Sequence, residues 1–365
     1  MPGPTAGSAV PAGRARTLAQ VYRHFGAVEA AATSPLYERV AVALSESDEA
    51  LCAIEAVPAR KRHPTVILAA LHDLALAGRA PALAAAYAAA DGDAAADAAI
   101  DTLLRMTDSV AAIAVRRQTR PNETGHGAIL YPAIAEAARR AGANAVGLID
   151  VGCSAGLNLT VDRVGITYSN GQSLGDPSSP VQLSCSIVGN RPIPTRLMPA
   201  VVARVGVDPD PVDVTDSADA RWLRACLWPG QPERVAQLEA ELALAATAPP
   251  LLLPGDAIEV LPAAFGQLPA DALAVVTTTW ALSHFPLESR LRFLHRLDEA
   301  SAGRAVAWVS AEGVGVAPAI PTLGDRRASG HSIIGLAVLD RSVLRAEAIG
   351  RCWSRGRFLA WLADS

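Results

Sequence analysis

Residues 146–163 read Val-Gly-Leu-Ile-Asp-Val-Gly-Cys-Ser-Ala-Gly-Leu-Asn-Leu-Thr-Val-Asp-Arg, and this stretch decides the fold of the chain. The apolar run up to Val151 is short and stops at Gly152, as a buried parallel strand does. The small residues that follow allow the backbone to turn tightly and to approach a ligand, and a helix begins after them. We therefore predict a strand, a tight turn and a helix, with a ligand near the turn.

The rest of the second half repeats this alternation. Apolar runs occur at residues 251–253, 273–278 and 305–310, and a clear helical pattern covers residues 287–300. Strands that alternate with helices predict βαβ units and a mostly parallel, Rossmann-like sheet in an α/β fold. The segment at about 166–215 is rich in Pro, Gly and Ser and is expected to be an irregular insertion.

The chain before this core has a helical pattern. Between residues 14 and 142, Ala- and Leu-rich stretches place apolar residues three and four apart, which predicts an all-helical cap domain. Ser34 and Pro35 suit the N-cap and the first position of a helix. Residues 1–13 are rich in Pro, Gly and Ala and are expected to be a disordered tail. Residues 143–365 then form the α/β domain.

The composition excludes several classes of protein. The 365 residues carry 32 Lys and Arg against 36 Asp and Glu, without the basic excess of a nucleic-acid-binding protein. The five cysteines and seven histidines have neither a disulfide framework nor the spacing of metal ligands. No run of about 18 apolar residues is free of charge or Pro, so no membrane span is predicted. We expect a cytoplasmic protein without a metal ion, and the sequence leaves homo- or hetero-oligomers open.

The turn after the first strand permits two incompatible chemistries. Asp150 to Gly156 reads Asp-x-Gly-x-Ser-x-Gly and resembles the acidic turn of class I methyltransferases, which holds the methionine part of S-adenosylmethionine. Gly152 to Gly156 also reads Gly-x-Ser-x-Gly, the nucleophile elbow of serine hydrolases, with Ser154 as the nucleophile. A third interpretation is that the small residues only allow a helix and a strand to pack closely.

Three later segments favour the methyltransferase interpretation by their order. Residues 251–262 resemble the third methyltransferase strand and its turn, where an acid, here Asp256, contacts adenine. Residues 272–288 resemble the fourth strand with its active-site loop, and residues 305–313 resemble the fifth strand. An acid for the ribose has one candidate, Asp208, which requires an insertion before it.

A serine hydrolase needs a triad in the order Ser, acid, His, which Ser154, Asp256 and either His284 or His331 could supply. That fold places several strands before the nucleophile, and the chain has no evident strands there. Hydrolysis by Ser154 is therefore kept as an alternative only.

The chain also resembles one bacterial family over nearly its whole length, from about Tyr22. The likeness is carried by residues 117–123, 151–163, 175–180, 220–224, 228–229, 255–257 and 309–313. These segments are similar to those of the domain-of-unknown-function 2332 family, which is common in actinobacteria. The resemblance implies one integrated unit of helical cap and α/β core, and it does not imply a substrate.

Polar residues beside the predicted strand ends are candidates for an acceptor site. Asn122 and Glu123 lie in a break between helices, where a cap would face the strand ends. A partly buried Glu123 could act as a base, whereas the alternative is an exposed turn. Asn158 follows the glycine turn and is the better ligand candidate there, whereas Asp162 and Arg163 could simply anchor the insertion.

Three further candidates follow the fourth and fifth strands. Trp280 and His284 come after the fourth strand, and His284 could accept a proton from the nucleophile or merely cap the next helix. Glu312, after the fifth strand, could contact substrate or lie in a solvated loop.

Together these observations predict S-adenosylmethionine-dependent methyl transfer to a small molecule. The predicted cofactor residues are Asp150, Gly152, Ser154, Gly156 and Asp256; the predicted substrate residues are Asn122, Asn158, Trp280 and Glu312; the predicted catalytic residues are Glu123 and His284. Two other classes stay open. One is a cofactor-free enzyme on the same fold, which performs a displacement or elimination on an amine-bearing metabolite, and the other is a non-catalytic partner subunit.

Overall fold

The computed structural model describes residues 17–119, 125–341 and 343–363, and the chain forms two compact units. The first unit contains residues 17–119 together with the segment Arg221–Pro232. The remaining described residues form the second unit. The predicted tail at residues 1–13 lies outside the described residues.

The first unit is helical. Its α-helices are α1 (Leu18–His24), α2 (Pro35–Glu46), α3 (Asp48–Glu55), α4 (Pro64–Leu76), α5 (Pro81–Ala88), α6 (Gly92–Arg105) and α7 (Thr107–Arg116). A π-helical turn at Phe25–Ala30 follows α1, and a 3₁₀ turn at Ala59–Lys61 precedes α4. The expected start of α2 is confirmed, because the Ser34 side chain accepts the Tyr37 N–H and Pro35 occupies the first helical position.

The segment Arg221–Pro232 completes the core of this helical unit. The buried Trp222 donates its indole N–H to the Gln118 carbonyl at 2.9 Å, and Arg221 pairs with Asp73 at 2.9 Å. The ring of Trp228 lies 5.6 Å from that of Phe25. A piece of chain more than 100 residues away thus fills the helical core, which local sequence patterns do not predict.

The second unit is an α/β structure. Its strands are β1 (Ala145–Val151), β2 (Gly165–Tyr168), β3 (Ser173–Gly175), β4 (Gln182–Ile187), β5 (Ala200–Asp208), β6 (Leu251–Pro254), β7 (Leu273–Thr279), β8 (Val306–Gly313), β9 (Ser332–Asp340), β10 (Val343–Trp353) and β11 (Phe358–Trp361). The helices are α8 (Gly127–Ala141), α9 (Ser217–Ala225, which continues into the helical unit), α10 (Pro232–Thr247), α11 (Ala257–Gly266) and α12 (Leu287–Ser301). Short 3₁₀ segments cover Leu157–Arg163, Leu282–His284, Arg327–Ser329 and Ser354–Gly356.

The strands form one mixed sheet in the order β3-β2-β4-β11-β10-β9-β8-β7-β1-β5-β6. Strands β6, β5, β1, β7 and β8 are parallel neighbours, whereas β9 runs antiparallel to β8 and β10. From β1 the chain adds β5 and β6 on one side and then crosses to β7 and β8 on the other. The order therefore reverses between β1 and β7, and open α/β sheets bind ligands at the carboxyl ends of the strands at such a point.

The α/β class and the strands predicted at residues 146–151, 251–253, 273–278 and 305–310 are confirmed. The expectation of an irregular segment at about 166–215 is wrong, since this segment contains β2, β3, β4 and β5. Its Pro, Gly and Ser residues lie mostly in the turns and loops that separate these strands.

Helix α8 belongs to the sheet and not to the helical unit, so the units separate before it and not near residue 142. Buried residues of α8, among them Ile129, Ile134 and Ala137, share one apolar core with Leu148 of β1 and Val309 of β8. An apolar helix face that packs on a sheet has the same periodicity as one in a bundle, which explains the displaced boundary.

No single helix among the described residues is long and apolar enough to cross a membrane, although α4 and α5 together reach that length and composition across a bend of 99°.

Arg204 of β5 fixes the segment Leu157–Arg163 after the glycine turn. Its guanidinium donates to both carboxylate oxygens of Asp162, at 2.8 and 2.7 Å, and to the Leu159 carbonyl at 2.5 Å. The two charged side chains are only 12% and 19% exposed. The pair therefore holds the segment that carries Asn158 against the parallel sheet.

We predict that Asp162→Asn lowers the free energy of unfolding by about 1–3 kcal/mol, because it leaves a mostly buried guanidinium without its carboxylate. Urea denaturation followed by circular dichroism measures the change. The control is Glu259→Gln, which removes an exposed pair with Arg292 and should cost less than about 0.5 kcal/mol. Equal effects of the two variants would contradict the assignment.

Candidate functional site

A buried carboxylate joins β1, β7 and the segment after the turn. Asp150 is 1% exposed, accepts the Thr277 hydroxyl at 2.6 Å and accepts the Asn158 amide at 3.2 Å. Asn158 also donates to the Thr279 hydroxyl at 3.1 Å. We call Asp150, Asn158, Thr277 and Thr279 the Asp150 cluster. It lies at the carboxyl ends of β1 and β7, where the strand order reverses.

Burial is the main influence on the protonation of the Asp150 carboxyl group. Burial raises the pKa of Asp150 to about 6, the bonds from Thr277 and Asn158 oppose the rise, and the charge of Asp208 adds to it. A carboxyl group with such a pKa exchanges its proton near neutral pH, as groups that take part in acid–base chemistry do.

The predicted turn is present and packs tightly. Gly152 and Gly156 have φ of +73° and +70°, which glycine adopts without strain. A Cβ on Gly152 would lie 2.8 Å from the Cβ of Ala281, and one on Gly156 would lie 2.8 Å from the Cγ of Pro250. Both glycines therefore allow close packing of the turn as well as its left-handed backbone.

Ser154 lies at the centre of the turn and is strained. It has a φ of +52°, which is uncommon for a residue other than glycine. Its N–H donates to Asp208 at 3.0 Å, whereas its buried Oγ has no hydrogen-bond partner in the described part of the chain. A buried hydroxyl without a partner is costly unless a ligand or water supplies one.

Asp208 ends β5, the parallel neighbour of β1, and this is where a ribose-binding acid is expected. Its carboxylate is instead 2% exposed and accepts two backbone N–H groups, from Ser154 at 3.0 Å and from Asp210 at 2.9 Å. Asp208 thus holds the turn in place.

His126, just before α8, is the residue that the sequence-based site omits. Its ring centroid lies 4.9 Å from that of Trp280, and its Nε2 is buried without a partner among the described residues. Burial lowers the pKa of His126 to about 4, the positive charge of Arg355 lowers it further, and a hydrogen bond with Asn158 opposes both. The sequence signal is Gly125-His126-Gly127, a histidine between two glycines in a break between helices.

Trp280 follows β7 and is also strained. It has a φ of +57°, and its indole N–H donates to the Ser332 hydroxyl at 2.9 Å. Arg355, whose charge acts on His126, has a φ of +52°. Strained residues other than glycine concentrate at functional sites, and two of them act on His126: Trp280 through ring contact and Arg355 through its charge.

A small cavity of about 30 Å³ lies beside the cluster, and His126, Asn158 and Glu241 line it together with several apolar residues. Burial raises the pKa of Glu241 to about 7, while the Gln237 amide, which donates to its Oε1 at 3.0 Å, opposes the rise. The space accommodates a water molecule, which could connect the three polar side chains.

Three other predicted residues, in the described part of the chain, make their hydrogen bonds outside the Asp150 cluster or are exposed. Asp256 is exposed and accepts the Ile258 N–H at 2.9 Å as the N-cap of α11, and His284 is exposed at the end of its 3₁₀ segment. Glu312 is buried and accepts the Leu282 N–H at 3.0 Å, and burial raises its pKa to about 7. Asn122 and Glu123 lie outside the described residues.

The hydrolase triad is not assembled in the described part of the chain. Ser154 Oγ bonds to no histidine there, and His331 Nε2 bonds to Asp325 at 2.9 Å, not to Asp256. The described residues also contain no group of three or more His, Cys, Asp or Glu that could hold a metal ion.

One protein family matches the chain over both of its structural units. A family model with the description "uncharacterized protein conserved in bacteria (DUF2332)" matches residues 19–361. The chain belongs to the DUF2332 family. No curated protein and no solved structure matches this DUF2332 chain. The match extends over both the helical unit and the sheet, so the Asp150 cluster and His126 lie within the family's domain.

We predict that the His126 ring of this DUF2332 protein stays neutral from pH 8 to pH 5, because burial opposes its charge. ¹⁵N-edited NMR of the imidazole nitrogens, with His126→Gln to assign the signals, should show constant shifts over this range. A change to imidazolium shifts above pH 5 would contradict the burial of this ring.

We also predict that Asp150→Asn changes how stability depends on pH. The pKa of Asp150 is higher in the native state than its ordinary value, so the native state keeps a proton that the unfolded chain has lost. The wild type therefore loses stability as pH rises from 4 to 7, by about 2 kcal/mol relative to the variant. Urea denaturation of both proteins at pH 4, 5.5 and 7 measures this difference. A difference that does not vary with pH would contradict the prediction.

Proposed function

We propose that the chain transfers a methyl group from S-adenosylmethionine to a small-molecule acceptor. The observation that carries the proposal is the arrangement of the five parallel strands. If β1, β5, β6, β7 and β8 are numbered 1 to 5, their order across the sheet is 3-2-1-4-5. A strained small-residue turn follows β1, and buried carboxylates lie at the ends of β1 and β5. Doubly wound sheets of this order bind nucleotide-like ligands at the point where the order reverses.

The residues around the turn fit such a ligand in most respects. Ser154 Oγ and His126 Nε2 are buried polar atoms without partners in the described structure, and a ligand with amino and carboxylate groups would satisfy them. Asp256 is exposed and retains one carboxylate oxygen for an adenine amino group. Asp208 does not fit a ribose contact, because it is buried and binds the turn.

When bound, the cofactor supplies a methyl group on a positively charged sulfur. The turn Gly152–Gly156 would hold its methionine part and Asp256 its adenine. Asp150 fixes the orientation of the Asn158 amide through their hydrogen bond. Methyl transfer depends mainly on positioning, and a rigid amide beside a packed tryptophan provides a fixed wall for the acceptor. His126 is neutral at physiological pH, so its Nε2 can accept a hydrogen bond from a bound ligand.

A cofactor-free enzyme is a second candidate, and the state of Asp208 favours it. Both oxygens of this carboxylate accept backbone N–H groups, so the usual ribose contact is missing. The Asp150 cluster, His126 and Glu241 then form an acid–base site that needs no cofactor. Such a site suits an elimination or displacement on a metabolite that carries an amine.

Isothermal titration calorimetry with S-adenosylmethionine separates the two candidates. We predict a micromolar Kd for the wild type and at least a tenfold weaker one for Asp256→Ala, which removes the adenine contact. Asp91→Ala is the matched control, because it removes the same kind of N-cap from α6 in the helical unit and should leave the Kd unchanged. No heat of binding by the wild type would contradict methyl transfer and favour the cofactor-free enzyme.

A further inference from the structure

A cleft of about 610 Å³ lies in the second unit, on the outer face of β2, β4 and β11, beside the first turns of α10. A cleft of this volume accommodates a small molecule. It is lined by Thr167, Ser184 and Ser186 on the strands and by Glu233 and Gln237 on the helix, and Phe358 of β11 completes it. None of these six residues belongs to the Asp150 cluster or to the turn.

The floor of the cleft is a patch of hydroxyl groups. Thr167 of β2 lies directly opposite Ser184 of β4, and Ser186 of β4 lies opposite Phe358 of β11. Neighbouring strands are about 4.8 Å apart and alternate residues about 6.6 Å apart, so the three hydroxyls and the ring share one small surface. Thr167 and Ser184 are exposed and Ser186 is half-buried, so their hydroxyls can donate to a ligand and accept from it.

The other lining groups complement this floor. The Phe358 side chain is 42% exposed and offers an apolar face. Gln237 donates its amide N–H to Glu241, which leaves its carbonyl oxygen as an acceptor, and Glu233 is exposed at the edge. Arg234 and Arg357 also line the cleft, so two guanidinium groups and one carboxylate are among its lining residues. Together with the hydroxyl and amide groups they can both donate hydrogen bonds to a polyhydroxylated ligand and accept them from it.

We propose that this cleft binds a saccharide. A sugar ring presents hydroxyl groups along its edge and C–H groups on its face. The Thr167, Ser184 and Ser186 hydroxyls and the Glu233 carboxylate bind the sugar hydroxyls, and the C–H face packs on Phe358. The assignment does not depend on methyl transfer, because no residue of the cleft is shared with the proposed cofactor site.

Saturation-transfer difference NMR of the full chain without S-adenosylmethionine tests the assignment, with D-glucose, maltose and cellobiose as probes. We expect transfer to at least one of them, reduced at least fivefold in Phe358→Ala and in Ser184→Val. Both residues are exposed, and thermal melts confirm that the variants fold.

Leu291→Ala removes an equally exposed apolar side chain from α12 and serves as the control that should keep full transfer. Absence of transfer to all three sugars would overturn the proposal, and so would transfer that both cleft variants leave unchanged.

Discussion

The carboxylate of Asp150 is held inside the sheet by hydrogen bonds from Thr277 on β7 and from Asn158 after the glycine turn. A carboxyl group this deeply buried costs free energy unless its oxygens are satisfied, so its partners cannot move freely. Three separate pieces of chain are thereby fixed to one another at the place where the strand order reverses. The backbone of the turn, the position of Asn158 and the end of β7 all depend on this contact.

Asp208 and Arg204 hold the turn and the segment after it in the same place. Asp208 holds the turn from the side of β5 by accepting the Ser154 N–H, and Arg204 of the same strand holds the segment that follows the turn. Two carboxylates and one guanidinium thus fix a backbone that would otherwise relax from its left-handed residues. Among the buried polar atoms without a partner in the described residues are the Ser154 hydroxyl, in the turn, and the Nε2 of His126, whose ring hydrogen-bonds to Asn158. A site that leaves polar atoms buried and open, beside strained backbone, is organised for a ligand.

The sequence predicts the central strands well, because β1, β6, β7 and β8 are short apolar runs bounded by turn residues. It does not reveal β2, β3 and β4, which are short and separated by Pro and Gly turns, so composition alone suggests a loop. Nor does it reveal that Trp222 completes the helical core, since that contact joins residues 104 positions apart along the chain. Such contacts are set by tertiary packing, which leaves no local period.

For the candidate site, the motif around the turn identifies Asp150 and Asn158, and the order of strands identifies Trp280. The roles were less predictable than the positions. Asp208 faces the turn and not a ligand because it accepts a hydrogen bond from the backbone N–H of Ser154, 54 residues earlier in the chain. His126 does not belong to a sequence motif that pairs it with a second residue at a fixed spacing. Only the fold brings its ring against that of Trp280. Asp256 and His284 follow the correct strands but lie exposed, outside the cluster.

The most direct test of the account is a crystal structure of the protein grown with S-adenosylhomocysteine, the demethylated form of the proposed cofactor. We predict ligand density against the turn at Gly152–Gly156, with polar atoms within hydrogen-bond distance of Ser154 Oγ or His126 Nε2, and an intact Asp150–Asn158 contact. Density for protein side chains packed against both of those atoms, with no ligand at the carboxyl ends of β1 and β7, would contradict it.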